Sequence, residues 1–161
     1  MVMLSDKALR SRSGILHAGL LAGMAAAIVE LIPVLIIQGA HGVSAARVMQ
    51  AIASGLLGVS AYSGGWAVVV LGIGLHVLVS LVAGVVFAAA AAVRSGLLRH
   101  PITASIGYGA LVYLVMSLIV LPLSAAAFPR ATAAGDIAMS LSIHIVAFAL
   151  PIVLVVRRML K

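Results

Sequence analysis

Four side chains that could do acid–base or metal-ligand chemistry lie inside long apolar stretches of this sequence. They are a carboxylic acid, two imidazoles and a phenol: Glu30, His76, His144 and Tyr113. A charge at the centre of a bilayer costs on the order of 2.5–3.5 kcal/mol on insertion scales. Glu30 is therefore expected to be neutral or paired, and an imidazole is a suitable partner. An ionisable residue in such a setting is a functional hypothesis by default.

Each of the four lies on a stripe of small residues with helical i, i+3 or i, i+4 spacing. The stripes are Gly19, Gly23, Ala26 and Glu30; Gly72, His76, Ser80 and Gly84; Ser105, Gly109, Tyr113 and Ser117; and Ser140, His144, Ala147 and Pro151. In lipid, helices contact one another through small residues, and polar side chains turn inward. A rise of 1.5 Å per residue puts the four polar groups within about 7 Å of one another along the bilayer normal. We therefore predict one intramembrane cluster.

Several functions fit this cluster. One is an interhelical hydrogen-bond network, each bond contributing about 0.6–2 kcal/mol, in a structural or accessory membrane protein with no predicted catalytic residue. A second is proton or cation transport through the cluster. A third is a divalent metal bound by Glu30, His76 and His144, a ligand set of zinc and non-haem iron sites. A fourth is haem, with His76 and His144 as axial ligands from two helices.

Composition excludes other chemistry. The chain has no cysteine, which rules out disulfides, thiolate catalysis and cysteine-ligated metals. Only three acidic residues are present, Asp6, Glu30 and Asp136, so paired-carboxylate catalysis is excluded. The net charge of +7 does not indicate nucleic-acid binding, because the basic residues stand at the ends of apolar runs and not on a polar face with interleaved aromatics.

The elements that position the cluster are membrane-spanning helices. Of the 161 residues, 65% are apolar and 8% are charged, where a soluble domain carries roughly 25% charged residues. Four apolar segments reach the roughly 20 residues that a helix needs to cross a bilayer: 14–37, 65–93, 101–123 and 136–156. Alternation with period two is absent, so strands are not expected. The sequence predicts a single all-α domain, a four-transmembrane-helix bundle.

A shorter helix is predicted over residues 44–58, between the first two spanning segments. Its polar residues Arg47, Gln50 and Ser54 share one face. The opposite face carries Val48, Met49, Ile52 and Leu56. The segment is too short to span, so it is predicted to be an interfacial or re-entrant amphipathic helix.

The distribution of lysine and arginine predicts the topology. One side carries eight of the ten: Lys7, Arg10, Arg12, Arg94, Arg99, Arg157, Arg158 and Lys161. The other side carries only Arg47 and Arg130. Positively charged loops stay in the cytoplasm, so a multi-pass protein with both termini inside is expected, with its basic side attracting anionic headgroups. The Gly19/Gly23 pair serves equally well for contact within the chain, with a second copy or with another membrane subunit.

Three stretches carry a resemblance: RVMQAIASGLLG, then SGG with LGIGLHVLVSLVAG, then YGALVYLVMSLIVLPLSA. They resemble a group of small, uncharacterised four-helix bacterial inner-membrane proteins. The resemblance covers most of residues 14–127, and its most specific part is the LPLSA end of the third helix with the preceding Tyr113. It implies a bacterial cytoplasmic membrane and supports His76 and Tyr113 at matching positions. It implies no catalytic residue.

Overall fold

The computed structural model describes residues 12–127 and 133–161, which are helical and contain no strand. Five helices follow one another: α1 (Arg12–Ala40), α2 (Ala45–Leu57), α3 (Gly65–Val93), α4 (Pro101–Leu123) and α5 (Ala134–Leu160). A short 3₁₀ helix, Gly58–Ser63, connects α2 to α3, and another, Ser95–Leu98, connects α3 to α4. Lys7, Arg10 and Arg130, on which the predicted topology partly rests, lie outside the described residues.

Four of these helices, α1, α3, α4 and α5, are long and apolar enough to cross a membrane. They contain the four predicted segments and extend them by two to four residues at the ends of α1 and α5. Large aliphatic side chains cover their outer faces; Val70, Ile102 and Leu118 are each about two-thirds exposed or more (65%, 71% and 69%). A soluble monomer rarely exposes apolar surface so continuously, so the outer face suits lipid.

The bundle has two ends, which are named here by what they carry. The terminal end holds Arg12, the turn between α3 and α4, and Leu160. The loop end holds the end of α1, helix α2, the start of α3, and the connection from α4 to α5. These names are kept below.

A glycine seam joins α1 to α3 in the half of the bundle near the terminal end. A Cβ at Gly84 would lie 2.8 Å from the Cα of Gly23 and would also meet the carbonyl oxygen of Gly19. A Cβ at Gly19 would lie 2.5 Å from the Cα of Val85. The predicted stripe residues are thus buried where backbones approach closely. Because α3 covers the Gly19/Gly23 pair, this pair serves contact within the chain.

The half near the terminal end is a packed apolar core. Its fully buried members include Phe87 on α3 and Ile152, Val153 and Val156 on α5. A second close approach joins α4 to α5, where a Cβ at Gly109 would lie 2.6 Å from the Cα of Ile145. Between α3 and α4, which make few close backbone approaches, the hydroxyl of Tyr108 donates a 2.6 Å hydrogen bond to the carbonyl oxygen of Ala83.

Helices α4 and α5 each widen into one π-helical turn, at Met116–Val120 and at His144–Ala149. In the second, the backbone N–H of Leu150 reaches back five residues to the carbonyl of Ile145. In both helices a proline, Pro122 or Pro151, is the second residue after the π-helical turn. Proline has no N–H to donate and crowds the preceding turn, so a wide turn before it is physically reasonable. Such turns are frequent at functional sites.

Helix α2 packs across the loop end instead of spanning the bundle. Its apolar residues Val48 and Met49 are buried, and the backbone of Met49 lies directly on Gly72 of α3. The predicted helix over residues 44–58 is confirmed as a helix, Ala45–Leu57. Ser54, on the face that also carries Arg47 and Gln50, is fully buried, and its hydroxyl accepts the backbone N–H of Ala127 at 3.3 Å.

Candidate functional site

A cavity of about 980 Å³ occupies the half of the bundle near the loop end. All five helices contribute to its lining, which is mostly aliphatic. Typical wall residues are Leu31 on α1, Ile52 on α2, Val79 on α3, and Val112 and Met116 on α4. This is a ligand-sized space, since small-molecule sites typically enclose about 300–1,000 Å³ and combine apolar walls with a few polar groups.

Three of the four predicted residues line this cavity: Glu30, His76 and His144. Glu30 is ten residues before the end of α1, His76 eleven residues after the start of α3, and His144 ten residues after the start of α5. At 1.5 Å per residue, each is roughly 15 Å in from the loop end. They therefore share one level, which is called the floor of the cavity below.

Glu30 is half-buried and has no hydrogen bond or ion pair to any other described residue. Within the described chain, no fully buried side-chain nitrogen or oxygen lacks a partner. The carboxyl oxygens must therefore border open space, and Glu30 lines the cavity. An unpaired carboxyl in an apolar wall has a large desolvation cost that a ligand, a proton or water can relieve.

Both imidazoles use one ring nitrogen on a backbone carbonyl. The Nε2–H of His76 donates to the carbonyl oxygen of Ala27 on α1 at 2.9 Å, and the Nδ1–H of His144 donates to Ser140 on its own helix at 2.8 Å. Because a carbonyl oxygen only accepts, these nitrogens carry the hydrogens. In a neutral ring the other nitrogen, Nδ1 of His76 and Nε2 of His144, is then an acceptor. Neither has a hydrogen-bond partner among the described residues.

Tyr113 stands behind the floor and does not line the cavity. Its ring meets the imidazole of His144 edge-on, with 5.6 Å between the ring centroids and 77° between the planes. Phe148, one turn further along α5, lies on His144 with centroids 6.3 Å apart. These rings fix the orientation of the His144 side chain. Tyr113 thus positions a floor residue without forming part of the floor surface.

The four predicted residues are neighbours, but the predicted bonds between them are not formed. No hydrogen bond joins any two of Glu30, His76, Tyr113 and His144; each imidazole instead donates one ring N–H to a backbone carbonyl oxygen. In the part of the chain that the structure describes, no three histidine or acidic side chains are grouped closely enough to hold a metal ion. Binding of a divalent metal by Glu30, His76 and His144 stays a prediction. Axial haem ligation by the two histidines stays a prediction.

Polar residues that the sequence analysis did not assign to the site line the part of the cavity nearest the loop end, which is called its mouth below. The guanidinium carbon of Arg47 lies 4.2 Å from the centroid of the Tyr62 ring, and its Nη1 donates to the Tyr62 carbonyl oxygen at 3.2 Å. Gln38 completes this polar edge. Arg47 had been assigned to a polar helix face, and only the fold shows that this face looks onto the cavity. The fifteen-residue separation from Tyr62 gives no periodic signal.

The cavity does not continue to the terminal end in this structure. Ser80 and Phe148 line it one turn beyond the floor, and Phe148 belongs to the packed core that fills the other half. The hydroxyl of Ser80 is itself used, since it donates to the carbonyl oxygen of His76 at 2.8 Å. The site is therefore a pocket confined to the half of the bundle near the loop end.

In comparisons with known proteins, no protein family, no curated protein and no solved structure matches the chain.

Proposed function

We propose that this chain is a multi-pass protein of a bacterial cytoplasmic membrane whose cavity binds a small, largely apolar molecule. The observation that carries the proposal is the cavity of about 980 Å³, with aliphatic walls and an unpaired carboxyl at its floor. Apolar walls with a few polar groups are what small-molecule sites present. The accessory role expected from the sequence would then be the binding of a small molecule inside the membrane.

Two features support the membrane placement and its direction. Four helices are long and apolar enough to span. Described basic residues concentrate at the terminal end, which carries Arg12, Arg94, Arg99, Arg157, Arg158 and Lys161, whereas Arg47 stands at the loop end. By the positive-inside rule both termini are cytoplasmic and the cavity mouth is external. The resemblance to small four-helix inner-membrane proteins is consistent with this.

Binding is favoured over conduction by the packing below the floor. Proton or cation transport needs a path through the half near the terminal end, where Phe87, Ile152 and Val156 are at most 2% exposed. Catalysis is not supported either, because no nucleophile–base pair within hydrogen-bond reach lines the described part of the cavity.

The test is saturable binding of an uncharged, solvatochromic dye such as Nile red to the purified protein in lipid nanodiscs, with empty nanodiscs subtracted. Val79→Trp should fill part of the cavity, because Val79 lines it, and should weaken dye affinity at least about tenfold, or 1.4 kcal/mol. Val82→Trp is the matched control, since Val82 is on the same helix, is 55% exposed and does not line the cavity.

Absence of saturable binding above that of empty nanodiscs would contradict the proposal. So would equal loss of affinity in Val79→Trp and Val82→Trp, because the dye would then be reporting the lipid-facing surface of α3.

A further inference from the structure

With Glu30 ionised, the polar groups at the cavity floor are all hydrogen-bond acceptors. Glu30 offers two carboxyl oxygens, and His76 and His144 each offer one ring nitrogen without a hydrogen-bond partner among the described residues. An ionised carboxylate and the unprotonated nitrogen of a neutral imidazole only accept hydrogen bonds. Three side chains from three different helices, α1, α3 and α5, thus bring acceptors to one level of the cavity.

Donors near the floor are already used. The ring N–H groups of both histidines are bound to carbonyl oxygens, and the Ser80 hydroxyl donates to the His76 carbonyl. The Tyr113 hydroxyl does not line the cavity. A ligand head group that only accepts hydrogen bonds would therefore leave the floor acceptors desolvated and unpaired, a cost of about 1–3 kcal/mol per group and more for a charged one.

We propose that the ligand of this cavity is an amphiphilic amine, whose protonated amino group lies at the Glu30/His76/His144 floor and whose apolar body packs on the aliphatic walls. This inference rests on the proposed binding function and adds the chemical class of the ligand. An alkylammonium group carries three N–H donors and one positive charge. It can therefore pair with the Glu30 carboxylate through a charge-assisted bond and still has N–H donors left for an acceptor on the same level of the cavity.

Arg47 is the described cation nearest the mouth, and it does not change this choice. Its guanidinium stacks on the Tyr62 ring, donates to the Tyr62 carbonyl and is exposed. An exposed charge is screened by solvent, so it repels an ammonium group at the floor only weakly. An anionic amphiphile would place its head group at the mouth beside Arg47. Because solvent screens the exposed Arg47 charge, that pairing would be weak.

The experiment compares three competitors that share a twelve-carbon chain: dodecylamine, dodecanol and dodecanoate. Each displaces the uncharged dye from the protein in nanodiscs at neutral pH, with partition into empty nanodiscs subtracted. Dodecylamine should displace the dye at a concentration at least tenfold lower than dodecanol does, and dodecanoate should be the weakest. This selectivity is measured on the unmodified chain, so it does not depend on the folding of any variant.

Two variants then assign the selectivity to the floor. Glu30→Gln should remove the preference for the amine over the alcohol, scored as the ratio of the two displacement concentrations on the same variant, so that any change in dye affinity cancels. Asp136→Asn is the matched control, the same carboxyl-to-amide change at an exposed residue in the first turn of α5 that does not line the cavity, and it should keep the full preference.

The outcomes separate the two proposals. Dye binding without preference for the amine, or with preference for dodecanoate, would overturn the amine inference and leave the binding function standing. An amine preference that survives in Glu30→Gln would overturn it equally, because the preference would then come from the lipid surface. No saturable dye binding would overturn the binding function and, with it, the inference.

Discussion

Replacing Gly84 by alanine should push α1 and α3 apart at the seam. The added Cβ would lie 2.8 Å from the Cα of Gly23, whereas ordinary contact begins at 3.4 Å. It would also meet the carbonyl oxygen of Gly19, so the obstacle is backbone and cannot rotate away. The backbone N of Gly23 would be nearer still, at 2.6 Å, so the helices must separate by at least about 0.8 Å. A gap of about 0.5–1 Å forfeits a quarter to a half of each dispersion contact along the seam.

We expect this overpacking to lower the free energy of unfolding by about 1–3 kcal/mol. The measurement is equilibrium unfolding in mixed micelles at increasing mole fraction of denaturing detergent, followed by far-ultraviolet circular dichroism. Gly74→Ala is the control on the same helix, because a Cβ there has no neighbour within 4 Å. It should leave stability unchanged or raise it slightly, since alanine favours helix over glycine.

Equal unfolding free energies for Gly84→Ala and Gly74→Ala, within about 0.5 kcal/mol, would refute this account, because surface-like substitutions fall in that range. The seam would then not be a close backbone contact, and the apposition of α1 and α3 would need another cause.

Three further predictions follow from the packing and the charge distribution. Gly72→Ala should lift α2 off α3, because the new Cβ would meet the α2 backbone, and should weaken both stability and dye binding. Tyr108→Phe should cost about 0.6–1.7 kcal/mol of unfolding free energy through loss of the hydrogen bond to Ala83. In intact cells, a membrane-impermeant maleimide should label Ser63→Cys and leave Gly96→Cys unlabelled until the membrane is permeabilised, because the loop end is proposed to be external.

Each of these has a control in the chain. Gly107→Ala is expected to be neutral in both stability and dye binding, since its Cβ would meet nothing within 4 Å. Tyr113→Phe removes a hydroxyl with no hydrogen bond to a described residue and should change stability by less than about 0.5 kcal/mol. The unmodified chain has no cysteine and gives no background labelling. Labelling of Gly96→Cys alone in intact cells would reverse the proposed topology.

The four long helices could be predicted from the sequence because one physical quantity decides them. A run of about 20 apolar residues is poorly soluble in water and is long enough to cross a bilayer as a helix. Inside the bilayer the backbone has no water to bond to, so it must form the hydrogen bonds of a helix. Helix α3 begins and ends at the predicted residues, Gly65 and Val93. The inward direction of the stripes could also be predicted, because small residues let helices pack closely in lipid. Gly23, Ser80 and Gly109 are accordingly buried.

The bonds at the site could not be predicted in this way. A stripe shows that His76 faces inward, but its partner is a backbone carbonyl of Ala27, and every residue offers a carbonyl. The interhelical hydroxyl bond expected of Tyr113 is made by Tyr108, five residues earlier and on another face of the helix. Burial of Ser54 likewise depends on where the chain after α4 passes, which no local periodicity encodes.

The cavity itself follows from where the glycine seam lies. Gly19 is seven residues from the start of α1, roughly 10 Å from the terminal end, so α1 and α3 are closest well inside that half. Toward the loop end, the space between α3 and α1, which contains Pro33, needs a filler. Helix α2 supplies one against Val69 and Gly72, but its 13 residues reach only about 20 Å and cover the opening without filling its depth. The residues just below this cover, Glu30 among them, are left facing empty space instead of a packed neighbour. An unpaired carboxyl is therefore a consequence of the same geometry that makes the pocket, which is why a pocket ligand should carry the group that pairs with it.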